Sequence, residues 1–267
     1  MNASPIGVFD SGMGGLTVMR ALTERLPKES FLYLGDTARL PYGTKSADTV
    51  KRYALQASRA LMERGVKMVV VACNTASVAL PALQEALSPL PVIGVIEPGA
   101  EAALAVAPDG PIAVIATEGT VKGGAYVRAI QARRATPVVQ QACPLFVPMT
   151  EEGLVAGPIA DAIVHRYLDP LLATVPKPKC LLLGCTHYPA LKPVIARVAG
   201  DVTLVDSAMT TAAAVGRLLT EKNLANSSGP VSRKFLATDA PDRFARVGEI
   251  FYGAAIDPGD VELIDLQ

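Results

Sequence analysis

The sequence predicts an α/β protein of two similar, pseudo-symmetric domains, each a mostly parallel sheet flanked by helices, with a site in the cleft between them. Three observations predict this architecture. Short apolar runs alternate with longer alanine-rich segments of helical period, which is typical of parallel strands covered by helices. A length of 267 residues is more than a single hydrophobic core usually holds, so two domains are expected. Finally, residues 70–75 and 182–187 are similar in sequence, which suggests an internal repeat.

The elements follow from these runs in chain order. Strands are predicted at Ile6–Asp10, Phe31–Gly35, Met68–Ala72, Val92–Val95, Ile112–Ala116, Val138–Ala142, Cys180–Gly184 and Thr203–Val205. Helices are predicted at Leu16–Arg25, Ala47–Glu63, Val121–Ala132, Gly157–Leu172 and Met209–Lys222. A final strand, helix and strand are predicted at Phe235–Thr238, Asp242–Phe251 and Val261–Leu266. We therefore expect one domain from residues 1–97 with 210–267 and a second from residues 98–209.

Composition narrows the expected partner to a small molecule. Lys plus Arg and Asp plus Glu number 25 each, without a dense basic cluster, which argues against nucleic acid or an anionic membrane surface. The apolar runs are far shorter than a bilayer requires. Four cysteines without CxxC spacing and two histidines predict no metal site. Residues 1–5 carry no secretory or transit signal, so we expect a cytoplasmic location with free thiols.

Two of the cysteines follow matched strand ends. Cys73 and Cys185 each come after an apolar strand and a small residue, and each precedes side chains that form hydrogen bonds. Ligands bind beyond the carboxyl ends of parallel strands, so two facing sheets would offer one thiol from each wall of a cleft. Each cysteine alone favours packing, whereas the pair favours an acid and a base acting on opposite faces of one carbon. Cys143 and Cys180 lack such neighbours, and we assign them to packing.

Two loops at other strand ends have both a functional and a structural interpretation. The glycine-rich segment Asp10–Gly15 misses the dinucleotide and P-loop spacings, but its amides suit an anionic ligand at a helix N-terminus. A tight turn would explain its glycines equally. The segment Pro41–Gly43 either turns the chain or lines a pocket with Tyr42 and a backbone amide.

Several polar side chains also have two interpretations. His187 either orients or shares a proton with Cys185 or makes a structural hydrogen bond, and Asp10 has the corresponding role beside Cys73. Thr117 and Thr120 suit a substrate carboxylate or a helix N-cap, and taken alone they favour the cap. The pair at 151–152 suits a substrate ammonium group or a solvated acidic loop, and taken alone it favours the loop. His165 is predicted on a helix surface.

Six stretches of this chain together resemble glutamate racemase: Gly7–Leu16, Gly35–Gly43, Ala72–Ala76, Cys143–Pro148, Glu151–Gly153 and Gly184–Pro189. The resemblance implies interconversion of L- and D-glutamate without pyridoxal phosphate or metal, supplying D-glutamate for bacterial peptidoglycan, by a homodimer. It implies that Cys73 and Cys185 are the proton donors and acceptors, assisted by Asp10 and His187. The substrate contacts that it implies are Asp10, Ser11, Pro41, Tyr42, Gly43, Asn74, Thr75, Thr117, Thr120, Glu152, Thr186 and His187.

Two other functions stay open on the sequence. A thiol pair determines the reaction type better than the substrate, so a racemase or isomerase of another small acid such as aspartate is the nearest alternative. A non-catalytic, two-lobed solute-binding module with packed cysteines is an alternative from another class. Solvent exchange of an α-proton would separate the enzymes from the binding module.

Overall fold

The strands form two fully parallel sheets in the computed structural model, which describes residues 3–174, 176–227 and 229–266. Met1 and Asn2, on which the localisation prediction partly depends, lie outside the described residues. The strands are β1 Ile6–Asp10, β2 Phe31–Gly35, β3 Met68–Val71, β4 Val92–Gly94, β5 Ile112–Ala116, β6 Val138–Ala142, β7 Cys180–Gly184, β8 Thr203–Asp206, β9 Arg233–Ala237 and β10 Val261–Leu263. The first sheet has the order β10-β9-β2-β1-β3-β4 and the second has the order β6-β5-β7-β8.

Helices surround both sheets. The α-helices are α1 Leu16–Arg25, α2 Ala47–Glu63, α3 Asn74–Ser77, α4 Leu80–Ala86, α5 Ile96–Val106, α6 Glu118–Gly123, α7 Ala125–Gln131, α8 Phe146–Glu151, α9 Pro158–Leu172, α10 Lys192–Ala199, α11 Ser207–Glu221 and α12 Pro241–Tyr252. Short 3₁₀ turns lie at Thr37–Arg39, Tyr42–Thr44, Tyr188–Leu191 and Pro258–Asp260. None of the helices in these described ranges is long and apolar enough to cross a membrane.

The chain builds the first sheet, crosses to the second and returns to finish the first. The crossing runs through α5, and α11 leads back, packing against α1 in the apolar core of the first sheet. All residues of β1, β2, β5 and β7 are buried, as expected for parallel strands covered on both faces. The predicted fold class, two parallel sheets flanked by helices, is confirmed. The predicted domain borders at residues 98 and 210 fall inside these connecting helices, and that division stays a prediction.

The structure corrects one predicted helix and moves several element ends. The single helix expected at Val121–Ala132 is wrong, because Gly124 adopts the left-handed conformation (φ 60°) and separates α6 from α7. Strand β3 ends at Val71 instead of Ala72, so that Cys73 caps the next helix. Helix α11 starts at Ser207, two residues earlier than expected, because the Asp206 carboxylate accepts a hydrogen bond from the Met209 amide and caps it.

Candidate active site

The ends of β1, β3, β5 and β7 surround one cavity that both predicted cysteines line. Eleven of the predicted site residues line this cavity: Ser11, Pro41, Tyr42, Gly43, Cys73, Asn74, Thr75, Thr117, Cys185, Thr186 and His187. The cavity is tight, at about 30 Å³, and it adjoins a mostly apolar cavity of about 300 Å³. Polar groups in so confined a space interact more strongly than in bulk water.

Cys73 lies at the junction of β3 and α3. Its Sγ accepts a hydrogen bond from the Ala76 amide at 3.4 Å and lies 3.5 Å from the Ser11 hydroxyl oxygen. Burial and, to a smaller extent, the negative charge of Asp10 raise the pKa of this thiol to about 12, although these hydrogen bonds lower it. Cys73 is therefore a protonated thiol at neutral pH in the unliganded protein.

Cys185 follows β7 and faces the same cavity from the second sheet. Its Sγ lies 3.9 Å from Nδ1 of His187, and the residue is only 6% exposed. Burial raises the pKa of this thiol well above its ordinary value, with a smaller contribution from the negative charge of Asp10. Each sheet thus presents one buried, protonated thiol with a titratable side chain beside it.

The glycine-rich loop after β1 brings the two sheets into contact. Asp10 is fully buried behind the cavity, where its carboxylate accepts hydrogen bonds from the Gly12 amide at 3.0 Å and the Thr186 hydroxyl at 3.5 Å. Burial raises the pKa of Asp10, against lowering by His187. A Cβ atom on Gly14 would collide with the His187 ring, so glycine is required there for close approach. Both interpretations of the loop are thus partly correct, since Ser11 lines the cavity while its glycines allow tight packing.

Tyr42 is held in place by a buried carboxylate that the sequence did not single out. The Tyr42 hydroxyl and the Arg39 Nε both donate to Asp36, with the Arg39 nitrogen at 2.7 Å. Thr238, just after β9, donates to the other oxygen of Asp36 at 3.0 Å. The neighbouring Gly43 packs so closely on Thr117 that a Cβ would lie 2.7 Å from it. This network fixes the loop that forms one wall of the cavity.

Three threonine hydroxyls join the two sheets beside Cys73. The Thr75 hydroxyl lies 2.9 Å from that of Thr117 and 3.2 Å from that of Thr120. Thr117 also caps α6, so the predicted capping role is present together with a position on the cavity. Thr120 is buried behind Thr75 and does not line the cavity. Its hydroxyl contacts the cavity wall only through the hydroxyls of Thr75 and Thr117.

The acidic residue that lines the cavity is Glu151, whereas the neighbouring Glu152 was the predicted substrate contact. Glu152 is exposed at the end of α8 and does not line the cavity. Glu151 is buried, and its carboxylate contacts His187 Nε2 at 3.0 Å and Arg243 at 2.9 Å. Burial raises the pKa of Glu151, but these two partners outweigh it and hold the pKa below its usual value. The four-residue spacing from Val147, which also lines the cavity, is the sequence signal for this face of the helix.

Comparison with known proteins places this arrangement in a family. The family model described as Asp/Glu/Hydantoin racemase matches residues 6–215. This chain belongs to that family. The racemase is 46% identical over 265 residues to glutamate racemase from Neisseria meningitidis serogroup A, covering 98% of this chain and 97% of the relative. It is 47% identical to glutamate racemase from Geobacter metallireducens, with the same coverage.

Solved structures agree with this membership. The structure of glutamate racemase from Francisella tularensis in complex with D-glutamate has a TM-score of 0.92 at 37% identity and covers 99% of this chain and 98% of that one. The Thermus thermophilus enzyme in complex with β-chloro-D-alanine gives 0.89 at 44% identity, with the same coverage. A Picrophilus torridus aspartate racemase shares the fold alone, at 16% identity and a TM-score of 0.56.

The other two cysteines of this racemase lie in its core, and the other histidine lies on a helix surface, as predicted from the sequence. Cys143 and Cys180 are buried in the core of the second sheet and do not line the cavity. His165 is exposed on α9, where its Nδ1 lies 3.0 Å from Asp169. In the described part of the chain no group of three or more His, Cys, Asp or Glu side chains could hold a metal ion.

The raised thiol pKa predicts an unusual pH dependence of alkylation. We expect iodoacetamide to modify Cys73 very slowly at pH 7, and the rate to increase about tenfold per pH unit up to pH 10, because only the thiolate reacts. Mass spectrometry of the peptide that contains Cys73 measures this rate, with a small thiol peptide in the same tube as a control. A plateau near pH 9 for Cys73 as well as for the control would contradict the buried-thiol description.

Proposed function

We propose that this racemase interconverts L- and D-glutamate by a two-base transfer of the α-proton between Cys73 and Cys185, without a cofactor. The observation that carries the proposal is that one cavity is lined by both thiols, each contributed by the strand end of a different sheet. Racemisation needs a proton to leave one face of the α-carbon and another to arrive on the opposite face. A pair of like groups on opposing walls serves both directions.

In the proposed reaction, the proton that leaves one face of the α-carbon is replaced by a proton from the thiol on the opposite face. One cysteine, as the thiolate, takes the α-proton and forms its S–H bond while the electron pair stays on the α-carbon. The other thiol then gives its proton to the opposite face and becomes the thiolate. The carbanion is stabilised by hydrogen bonds to the α-carboxylate and by the retained ammonium group. The residues that we propose as substrate contacts are Ser11, Pro41, Tyr42, Gly43, Asn74, Thr75, Thr117, Thr186 and His187.

Forming the first thiolate requires a proton acceptor next to each sulfur. We assign this role to Asp10 beside Cys73 and to His187 beside Cys185. The carboxylate of Asp10 is buried with a raised pKa, and the His187 ring is 3.9 Å from the Cys185 sulfur. The positive ammonium group of a bound amino acid would also favour thiolate over thiol, because an opposite charge stabilises the ionised form.

We infer the substrate, the cellular location, the oligomeric state and the use of the product from the family relationship. The relatives with nearly full-length coverage are glutamate racemases, which favours glutamate as the substrate. We propose that the protein is a cytoplasmic homodimer and that its product supplies D-glutamate for peptidoglycan synthesis.

Incubation with L-glutamate in deuterated water, with no cofactor added, tests the function. We expect the α-proton signal to disappear from the NMR spectrum, because the thiol that delivers the new proton has equilibrated with the deuterated solvent. Optical rotation should fall to zero as the two enantiomers reach equilibrium. Heat-denatured protein is the control. Exchange with L-aspartate only would instead indicate the other small-acid racemase, and calorimetric binding of glutamate without exchange would contradict the enzymatic function.

A further inference from the structure

Tyr126 of α7 connects the neighbours of the two cavity cysteines. The residue is fully buried, and its hydroxyl donates a hydrogen bond to Oδ1 of Asn74, the residue after Cys73, at 2.6 Å. Its ring packs on Gly184, the residue before Cys185, where a Cβ would come within 2.9 Å of ring atom Cε2. One side chain of the second-sheet segment therefore touches both strand ends that carry the thiols.

The amide of Asn74 has one satisfied and one unsatisfied end. Asn74 is only 2% exposed and lines the cavity. Its oxygen accepts from Tyr126, whereas its Nδ2 has no hydrogen-bond partner among the residues that the structure describes. Buried donors are almost always paired in folded proteins, so an unpaired amide nitrogen on a cavity wall indicates an acceptor supplied by a ligand.

The protonation of Tyr126 determines which end of the amide it holds. Burial raises the pKa of Tyr126 far above its ordinary value, and the hydrogen bond with the Ser207 hydroxyl lowers this pKa only partly. The phenol therefore keeps its proton, and that proton is directed to the Asn74 oxygen. With the oxygen engaged in this way, only the NH₂ group of Asn74 remains for the cavity.

We propose that Tyr126 is a positioning residue that fixes the Asn74 side-chain amide so that its Nδ2 donates to a substrate carboxylate. The inference rests on the proposed function, because it needs an amino acid in the cavity. Tyr126 does not touch the reacting atoms, and it acts only through Asn74.

Replacing Tyr126 by phenylalanine removes the hydroxyl and keeps the ring against Gly184. We expect the KM for both enantiomers to increase about tenfold, the effect of weakening one hydrogen bond to a charged group, while kcat changes much less. Tyr188→Phe is the matched control, since that fully buried hydroxyl donates to the Cys143 carbonyl at 3.0 Å and has no contact with Asn74. The control variant is expected to lose similar thermal stability and to keep its KM.

The double variant separates positioning from a general structural effect. Asn74→Ala alone should increase KM, and adding Tyr126→Phe to it should cause no further increase, because the group that Tyr126 orients is gone. If Tyr126→Phe folds poorly, Ser207→Ala provides the second test. The Ser207 hydroxyl forms a hydrogen bond with the Tyr126 hydroxyl, so its loss should loosen Tyr126 and cause a smaller increase in KM.

A wild-type KM for Tyr126→Phe, or an equal increase with and without Asn74, would overturn the inference. Wild-type KM for Ser207→Ala, if it is the only variant that folds, would overturn it as well. An inactive wild-type protein would instead indicate failure of the proposed function, so the two failures are distinguishable.

Discussion

Replacing Cys73 or Cys185 by serine is expected to lower kcat for racemisation by about 10³-fold, within the range that general acid–base groups contribute. A serine hydroxyl is a far weaker acid than a thiol, so it cannot supply the base in one direction or release the proton in the other. The two enantiomers have equal free energies in water, so kcat/KM must fall equally for L- and D-glutamate. Circular dichroism at fixed substrate concentrations measures both directions.

Cys180→Ser is the matched control for these variants. It makes the same chemical change at a buried position of β7 that does not line the cavity, so kcat should be retained while the protein is folded. In each active-site variant the remaining thiol can still remove and return a proton on its own side. Slow α-deuterium exchange without inversion should therefore affect opposite enantiomers in the two variants. Near-native racemisation by both variants would show that the two-cysteine assignment is wrong.

Replacing Glu151 by glutamine is expected to lower kcat by about 10- to 100-fold, because the charged hydrogen bond that holds the His187 ring is weakened, and such a bond contributes about 1.5–3 kcal/mol. Glu151 supports the His187 ring at 3.0 Å and is itself held by Arg243 of α12 at 2.9 Å. The amide keeps the shape of the side chain and removes its charge. Steady-state kinetics should show the loss in kcat with little change in KM, since Glu151 is placed to act through His187.

Glu152→Gln is the control, because this neighbouring side chain is exposed and should leave kcat unchanged. Stability gives a second measurement with a defined sign. The pKa of Glu151 is lower in the folded protein than its ordinary value of 4.5, so its ionisation stabilises the fold above that pH. The difference in urea stability between the wild type and Glu151→Gln should shrink as the pH falls below about 4.5. Equal effects of the two glutamate variants on kcat would contradict the assignment.

Most of the sheet structure could be predicted from the sequence because parallel strands buried on both faces are continuous apolar runs. The predicted bounds of β1, β2, β5 and β7, whose residues are all buried, agree with the structure at both ends, and so do those of the half-buried edge strand β6. Helix α7 could not be delimited in this way, because Gly124 interrupts a segment whose apolar spacing continues past it. Whether a glycine bends or continues a helix depends on tertiary packing.

The sequence could not show which of the two adjacent glutamates, Glu151 or Glu152, lies at the site. Adjacent residues on a helix point about 100° apart, so only the packing of α8 determines which carboxylate is buried against His187. Asp36, Tyr126 and Arg243 were missed for a related reason. Each acts on a partner that is distant in the chain or on another element, and no local spacing indicates such a contact.

The sequence by itself determined the strand ends that carry Cys73 and Cys185, since an apolar run followed by a cysteine and polar side chains is a local pattern. It also determined the kind of reaction that two such thiols would suit. Only the tertiary structure decided that both line one cavity, that burial keeps both protonated, and which side chains hold their neighbours in place. The physical reason is that burial, charge and side-chain orientation arise when two sheets distant in sequence pack together.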